Sequence, residues 1–219
     1  MSNLLQVQGG KKVTGQEKAE GLVCVFHGYG ANRENLYDVA EALSRELPSL
    51  RFIIPNGIQK FEGYPFGDGY QWFSLREFTQ QYMQKGLVSV APKISSWIRD
   101  RLNELHLTED KLYLSGFSQG AMLSLFLAAS GLISPKKVLV YSGMFVPPPV
   151  INSKEKNTSI LAIHGDVDGV VPLDMTKTSY NLLGAHGLND LKFLVENGVE
   201  HYITPKGISE GIRFLNIKT

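Results

Sequence analysis

The chain has 219 residues, 43% of them hydrophobic and 20% charged, and a formal net charge of +1. That length suffices for one domain with a substantial core, and residues 1–219 are read as one. The near-neutral balance and scattered basic residues give no basis for nucleic-acid binding, and the single cysteine, Cys24, rules out an internal disulfide and fits a reducing compartment.

The opening stretch, MSNLLQVQGGKKVTGQEK, lacks the charged and then apolar regions of a secretory signal. No apolar run approaches the ~20 residues of a membrane span. The expectation is a cytoplasmic protein.

In chain order, short apolar runs at 22–26, 52–54, 111–115, 137–141, 159–163 and 191–195 read as strands. They are near-continuously hydrophobic rather than alternating, which predicts strands covered on both faces. Helical patterns lie between them. The first is RENLYDVAEALSREL, where Leu36, Val39, Ala40, Leu43 and Leu47 share a face. The others are residues 87–105, the segment after Ser118, residues 172–187 and residues 205–217, with Pro172 and Pro205 at the first turns of the last two. This alternation predicts an α/β protein with an open, mostly parallel sheet and helices on both faces. Two connections, 55–82 and 144–158, are longer than such a fold needs and are candidates for function. No internal repeat or low-complexity tract marks a second domain.

The stretch KLYLSGFSQGAMLSLFLAAS contains Gly-Phe-Ser-Gln-Gly. Composition alone can produce that pattern, so its context decides. A nucleophile on a strand-to-helix turn has a strained backbone and needs small neighbours two residues away on each side. Gly116 and Gly120 supply them, a strand leads in and a helix leads out. That helix start would bring N–H groups and a positive dipole end to the reacting centre.

A serine hydroxyl needs a general base and a carboxylate to orient it. On a parallel sheet the partners should follow later strands, at the carboxyl edge, in the order Ser, Asp or Glu, His. HGDVDGVVP supplies Asp166 and Asp168, and ENGVEHYITP supplies His201. His164 precedes the carboxylate and His186 sits near the end of a predicted helix, so His201 is the better base. The residues alone do not separate Asp166 from Asp168. Oxyanion donors are expected at the Gln119 N–H and, from FHGYGANREN after the first apolar run, at the Tyr29 N–H.

Taken together, HGYG, GFSQGAMLSL, HGDVDGVVP and VEHYITPKGI resemble the phospholipase/carboxylesterase family, which includes acyl-protein thioesterases and small bacterial carboxylesterases. The resemblance runs from about residue 22 to 214 and implies an α/β-hydrolase fold. It implies that Asp168 belongs to the triad with Ser118 and His201, that Asp166 is structural, and that Tyr29 and Gln119 are the oxyanion donors. Ala121 stands where many members have a second glycine, and the loop around Trp72 differs in length and content from many thioesterases.

That loop holds Phe61, Tyr64, Phe66, Tyr70, Trp72, Phe73, Phe78 and Tyr82. Such density predicts an acyl-binding wall, with Tyr70 and Trp72 as its best members and Phe145, between Met144 and Val146, on the opposite wall. The expected activity is hydrolysis of acyl esters or thioesters, whether small, lipid-borne or protein-borne, with no cofactor and no metal. The alternatives are a lysophospholipase or peptidase on the same triad, and a non-enzymatic binding protein of this fold. A Cys24 nucleophile is weaker, since no base is placed for it and its run GLVCVF reads as core.

Overall fold

A computed structural model describes residues 4–8, 19–63, 67–151 and 153–216, so Tyr64 and Phe66 lie outside the described residues. Nine strands are described: β1 (Leu4–Gln8), β2 (Gly21–Phe26), β3 (Leu50–Pro55), β4 (Gln59–Lys60), β5 (Tyr70–Gln71), β6 (Leu112–Phe117), β7 (Lys137–Tyr141), β8 (Ser159–Gly165) and β9 (Asp190–Glu196). The helices are α1 (Tyr37–Glu46), α2 (Gln80–Glu104), α3 (Gln119–Ser130), α4 (Leu173–Tyr180) and α5 (Pro205–Leu215).

Seven strands form one sheet in the order β1-β3-β2-β6-β7-β8-β9. Six of them run parallel, and β1 closes one edge antiparallel to β3. The mostly parallel sheet with helices on both faces is as the apolar runs predicted. The edge strand β1 and the small β4–β5 hairpin were not foreseen.

Successive strand residues enter two different cores. Leu22, Cys24 and Phe26 of β2 face the layer of α2 and α3, while Val23 and Val25 face α1 and α5. Both faces are dry, which is why these strands read as continuous hydrophobic runs. Truncating a fully buried member such as Leu114 to Ala would cost about 2–5 kcal/mol. Cys24 is likewise fully buried in the sheet interior, and burial pushes its thiol pKa far up, so it is core.

Element boundaries differ from the sequence expectations in three places. Lys111 belongs to a short 3-10 turn, and β6 runs on to Phe117. Helix α2 starts at Gln80, capped by the Thr79 hydroxyl on the Tyr82 N–H, and so consumes the last part of the expected long loop. Gly86 lets α2 pass Phe73, whose Cβ would lie 2.9 Å from an added methyl. Helix α4 ends at Tyr180, and residues 184–186 form a separate 3-10 turn.

Because β2, β6, β7, β8 and β9 are parallel, their carboxyl ends share one edge. His27, Ser118, Ser142, Asp166, Asp168 and His201 all follow those ends.

Candidate active site

The turn from β6 to α3 is built by close contact of backbones. Ser118 has φ 54° and ψ −116°, a left-handed conformation that a side chain rarely adopts. A Cβ on Gly116 would sit 2.3 Å from the Gly120 carbonyl, and one on Gly120 would sit 2.0 Å from the Phe26 oxygen. Neither position accepts a larger residue. Ser118 N–H donates to the Tyr141 oxygen (3.0 Å), and the Ser118 carbonyl receives Ala121 and Met122 N–H at 3.0 and 3.1 Å. Ala121 is accommodated by its neighbour: a Cβ on Gly143 would lie 2.3 Å from the Ala121 methyl.

The loops after β8 and β9 meet at one carboxylate. Asp168 is buried, and its Oδ1 accepts the Val170 and Val171 N–H groups at 2.9 and 2.8 Å. Its Oδ2 lies 2.8 Å from His201 Nδ1 and 3.3 Å from His164 Nε2. Burial opposes ionisation of Asp168, but His201 and the two N–H donors outweigh it, and the carboxyl stays below its ordinary range. The His201 ring leans on Phe117, the residue before the nucleophile candidate, at 4.7 Å between centroids. Asp166 is exposed and accepts the Gly198 N–H at 2.6 Å, tying the acid loop to the histidine loop. The structure thus brings Asp168, and not Asp166, to His201.

His164 is a neighbour that sequence order argued away as a base. Its Nε2 lies 2.8 Å from the Val171 carbonyl, which makes that nitrogen the donor. Burial lowers its pKa and favours the neutral ring. His186 is buried and packs edge-on against Phe145 at 5.7 Å.

The loop after β2 passes beside the β6-to-α3 turn, or elbow, where a Cβ on Gly28 would lie 3.4 Å from the Ser118 Cβ. His27 Nε2 accepts the Gly57 N–H (2.8 Å), and burial keeps this ring neutral. Gly30 N–H donates to the Tyr70 oxygen (2.9 Å) and Ala31 N–H to the Gly28 oxygen (3.3 Å). Among the described residues, the Tyr29 and Gln119 N–H groups have no such partner. The Tyr29 phenol donates to Glu62 (2.7 Å). Burial, and then that carboxylate, push its pKa up to about 12, so it stays a donor.

The expected acyl walls require correction. Trp72 is 0% exposed; its indole N–H donates to the His27 carbonyl (2.9 Å) and its ring packs on Phe26, so it supports the loop from beneath. Phe145 is 1% exposed, with its N–H on the Ser179 hydroxyl (2.9 Å), so it too is core. Tyr70 is half-buried on the β4–β5 hairpin, where its hydroxyl accepts from Lys60 (3.1 Å) and its backbone pairs with Ala31 (2.7 Å). Density of aromatics in a loop does not reveal which rings turn inward. Exposed apolar side chains instead flank the dyad, with Val170 61% and Tyr202 65% exposed.

The Gln119 side chain ties two segments together. Its side-chain oxygen accepts the Trp72 N–H (2.9 Å) and its amide donates to the Phe73 oxygen (2.7 Å), clamping the long loop to the elbow. Sequence reasoning considered only its backbone. Among the described residues, no group of three His, Cys, Asp or Glu is placed to hold a metal ion, and no helix is long and apolar enough to cross a membrane.

The model of the phospholipase/carboxylesterase family matches residues 11–219. Acyl-protein thioesterase 1 homolog 1 of Dictyostelium discoideum is 27% identical over 207 residues, covering 89% of this chain and 88% of that protein. Esterase YpfH of Escherichia coli is 28% identical over 157 residues, covering 71% of this chain and 65% of that protein. The crystal structure of esterase PE8 superposes with a TM-score of 0.82 at 28% identity, covering 96% of each chain. Acyl-protein thioesterase 2 of Zea mays shares the fold with a TM-score of 0.72 at 19% identity, covering 98% of each chain.

Proposed function

The chain belongs to the phospholipase/carboxylesterase family and is a carboxylic ester hydrolase of the α/β-hydrolase fold, and from that premise we propose that it cleaves acyl esters or thioesters through Ser118, His201 and Asp168. The carrying observation is the 2.8 Å approach of Asp168 to His201 Nδ1, with that ring leaning on Phe117 beside the strained serine turn.

In this mechanism Ser118 Oγ attacks the substrate carbonyl carbon while His201 Nε2 takes its proton. Asp168 holds Nδ1–H, which fixes the tautomer and stabilises the imidazolium. The carbonyl oxygen gains negative charge and accepts the Tyr29 and Gln119 N–H groups. The tetrahedral adduct collapses, the carbonyl–leaving-group bond breaks, and His201 returns the proton to the departing alcohol or thiol. Water then loses a proton to His201 as it attacks the acyl carbon. The second adduct collapses, the acyl–Oγ bond breaks, His201 returns the proton to Ser118 Oγ, and the acid leaves. Every step uses groups of this chain and water.

The exposed Val167, Val170 and Tyr202 beside the dyad suit an apolar acyl portion. The names of the relatives point the same way, to an acyl ester, an acyl thioester or an acylated protein. The buried, unreactive Cys24 fits a reducing compartment, and we place the enzyme in the cytoplasm.

Ser118→Ala should abolish turnover of p-nitrophenyl esters, and a fluorophosphonate should form an adduct at Ser118 of the folded wild type. Full turnover in the variant, or no adduct on active protein, would remove the mechanism.

A further inference from the structure

A carboxylate outside the triad gathers an unusual set of donors. Glu62 Oε1 accepts the Tyr29 hydroxyl (2.7 Å), the Ser74 hydroxyl (2.6 Å) and the Leu75 N–H (3.2 Å), and Oε2 pairs with Arg76 Nε (3.0 Å). The Glu62 side chain is only 16% exposed although Arg76 is largely in solvent. Four donors on one shielded carboxylate need it ionised.

The connections continue on both sides. With its own proton on Glu62, the Ser74 oxygen accepts from the Tyr82 hydroxyl (2.9 Å) in the first turn of α2. Glu62 N–H donates to the Gln71 side chain (3.0 Å), and the neighbouring Phe61 ring meets the Tyr29 ring edge-on at 4.9 Å. One chain of contacts therefore runs from α2 through Ser74 and Glu62 to Tyr29.

Tyr29 stands between Gly28 and Gly30, and Gly30 has φ 75°. Glycines on both sides leave the orientation of the Tyr29 peptide weakly restrained by local sterics. The Gly30 N–H is held by Tyr70, which fixes the far side of the turn. The Gly28 carbonyl, in the same peptide as the Tyr29 N–H, lies 2.7 Å from His27 Nδ1 and accepts the Ala31 N–H (3.3 Å), and the phenol on Glu62 anchors the residue from its side-chain end. An oxyanion donor acts only when it is already aimed at the developing charge.

We propose that Glu62 is a positioning residue of the oxyanion hole: it holds the Tyr29 phenol, adds to the hold that His27 and Ala31 have on the Gly28–Tyr29 peptide, and so couples the loop around Glu62 and Ser74 to the reacting centre. This rests on the assignment of the Tyr29 N–H as an oxyanion donor. A positioning role of this kind weakens transition-state binding while leaving ground-state binding nearly intact, so it falls on kcat.

The test is a double-mutant cycle of Glu62→Ala and Tyr29→Phe, assayed on a p-nitrophenyl ester beside Ser118→Ala. Tyr29→Phe deletes a single oxygen and leaves a foldable chain, so the result does not depend on how well Glu62→Ala folds. Each single variant should lose about tenfold or more in kcat with KM changed by less than about threefold. The double variant should be no slower than the slower single, since both remove one link. Glu62→Gln, which keeps an acceptor for the phenol, should recover part of the loss. Unchanged kcat in Tyr29→Phe, losses confined to KM, or fully additive losses would overturn the proposal. Those results with an inactive Ser118→Ala would leave the hydrolytic mechanism standing, whereas an active Ser118→Ala would remove the mechanism itself.

Discussion

The two sides of the proposed reacting centre are held by different balances of packing and polar contact. On the elbow side, Gly116, Gly120 and Gly143 bring backbones so close that an added methyl would fall 2.0–2.3 Å from its neighbours. On the proposed oxyanion side, close glycine contacts, such as Gly69 where an added methyl would meet the Gly30 carbonyl at 2.3 Å, are joined by side-chain hydrogen bonds: Gly57 to His27, Trp72 and Phe73 to Gln119, and Tyr29 to Glu62. Steric construction has no slack, so it fails as a whole. Polar tethers can be removed one at a time, so that side can be altered in degrees while the fold persists.

The sharpest way to break this contrast is Gly120→Ala. The new methyl meets the Phe26 carbonyl of a central strand, and the variant should lose about 3 kcal/mol or more and yield no active protein. A thermal melt within a few degrees of wild type, with activity retained, would show that the elbow has slack after all.

Asp168→Asn comes next. It leaves the shape of the acid loop but no longer favours Nδ1–H on His201, so kcat should fall by about 10⁴-fold in a folded protein. Steady-state kinetics would settle it, and loss of less than tenfold would detach Asp168 from the chemistry.

Gln119→Ala keeps the backbone N–H and deletes only the clamp. It strands the buried Trp72 N–H and the Phe73 carbonyl, at a cost of about 1–3 kcal/mol. Urea unfolding should show that loss while Ser118 still takes a fluorophosphonate. If labelling vanished as it does in Ser118→Ala, the two sides would not be separable.

The pH effect is spread over the molecule rather than placed at the site. His27, His164 and His186 are buried, and burial lowers all three pKa values. The unfolded chain therefore takes up protons that the folded one refuses. Stability should be full above about pH 7 and fall as the pH drops below the ordinary histidine pKa of about 6.5, by up to about 1.4 kcal/mol per pH unit for each ring. Equal urea midpoints at pH 7.5 and 5.5 would contradict this.

The same contrast explains what could be read from the residues. Five of the six strands were legible because both their faces are dry, the partly exposed edge strand β9 showed only through its short apolar run, and the elbow was legible because its steric demands can only be met by glycine at fixed offsets. Ser118, Asp168 and His201 could be nominated from strand ends alone, although choosing Asp168 over Asp166 took a family resemblance. The tethers left no such trace. Glu62 is one acid in an aromatic loop, Gln119 one amide in a helix start, and their partners lie dozens of residues away. Trp72 and Phe145 were misplaced for the same reason, since their surroundings are set by long-range packing. Strand β1 pairs only at the sheet edge, and its short run preceded no crossover pattern.

The solitary cysteine has one more use. Cys24 sits in β2 between β3 and β6, at zero exposure. A thiol reagent can reach it only when neighbouring strands separate. Its labelling half-life would therefore time the opening of the sheet interior, with no competing thiol to confuse the signal. The wild-type chain carries its own kinetic reporter, and comparing that rate with loss of esterase activity would tell whether the enzyme inactivates by opening its sheet or by loosening its loops.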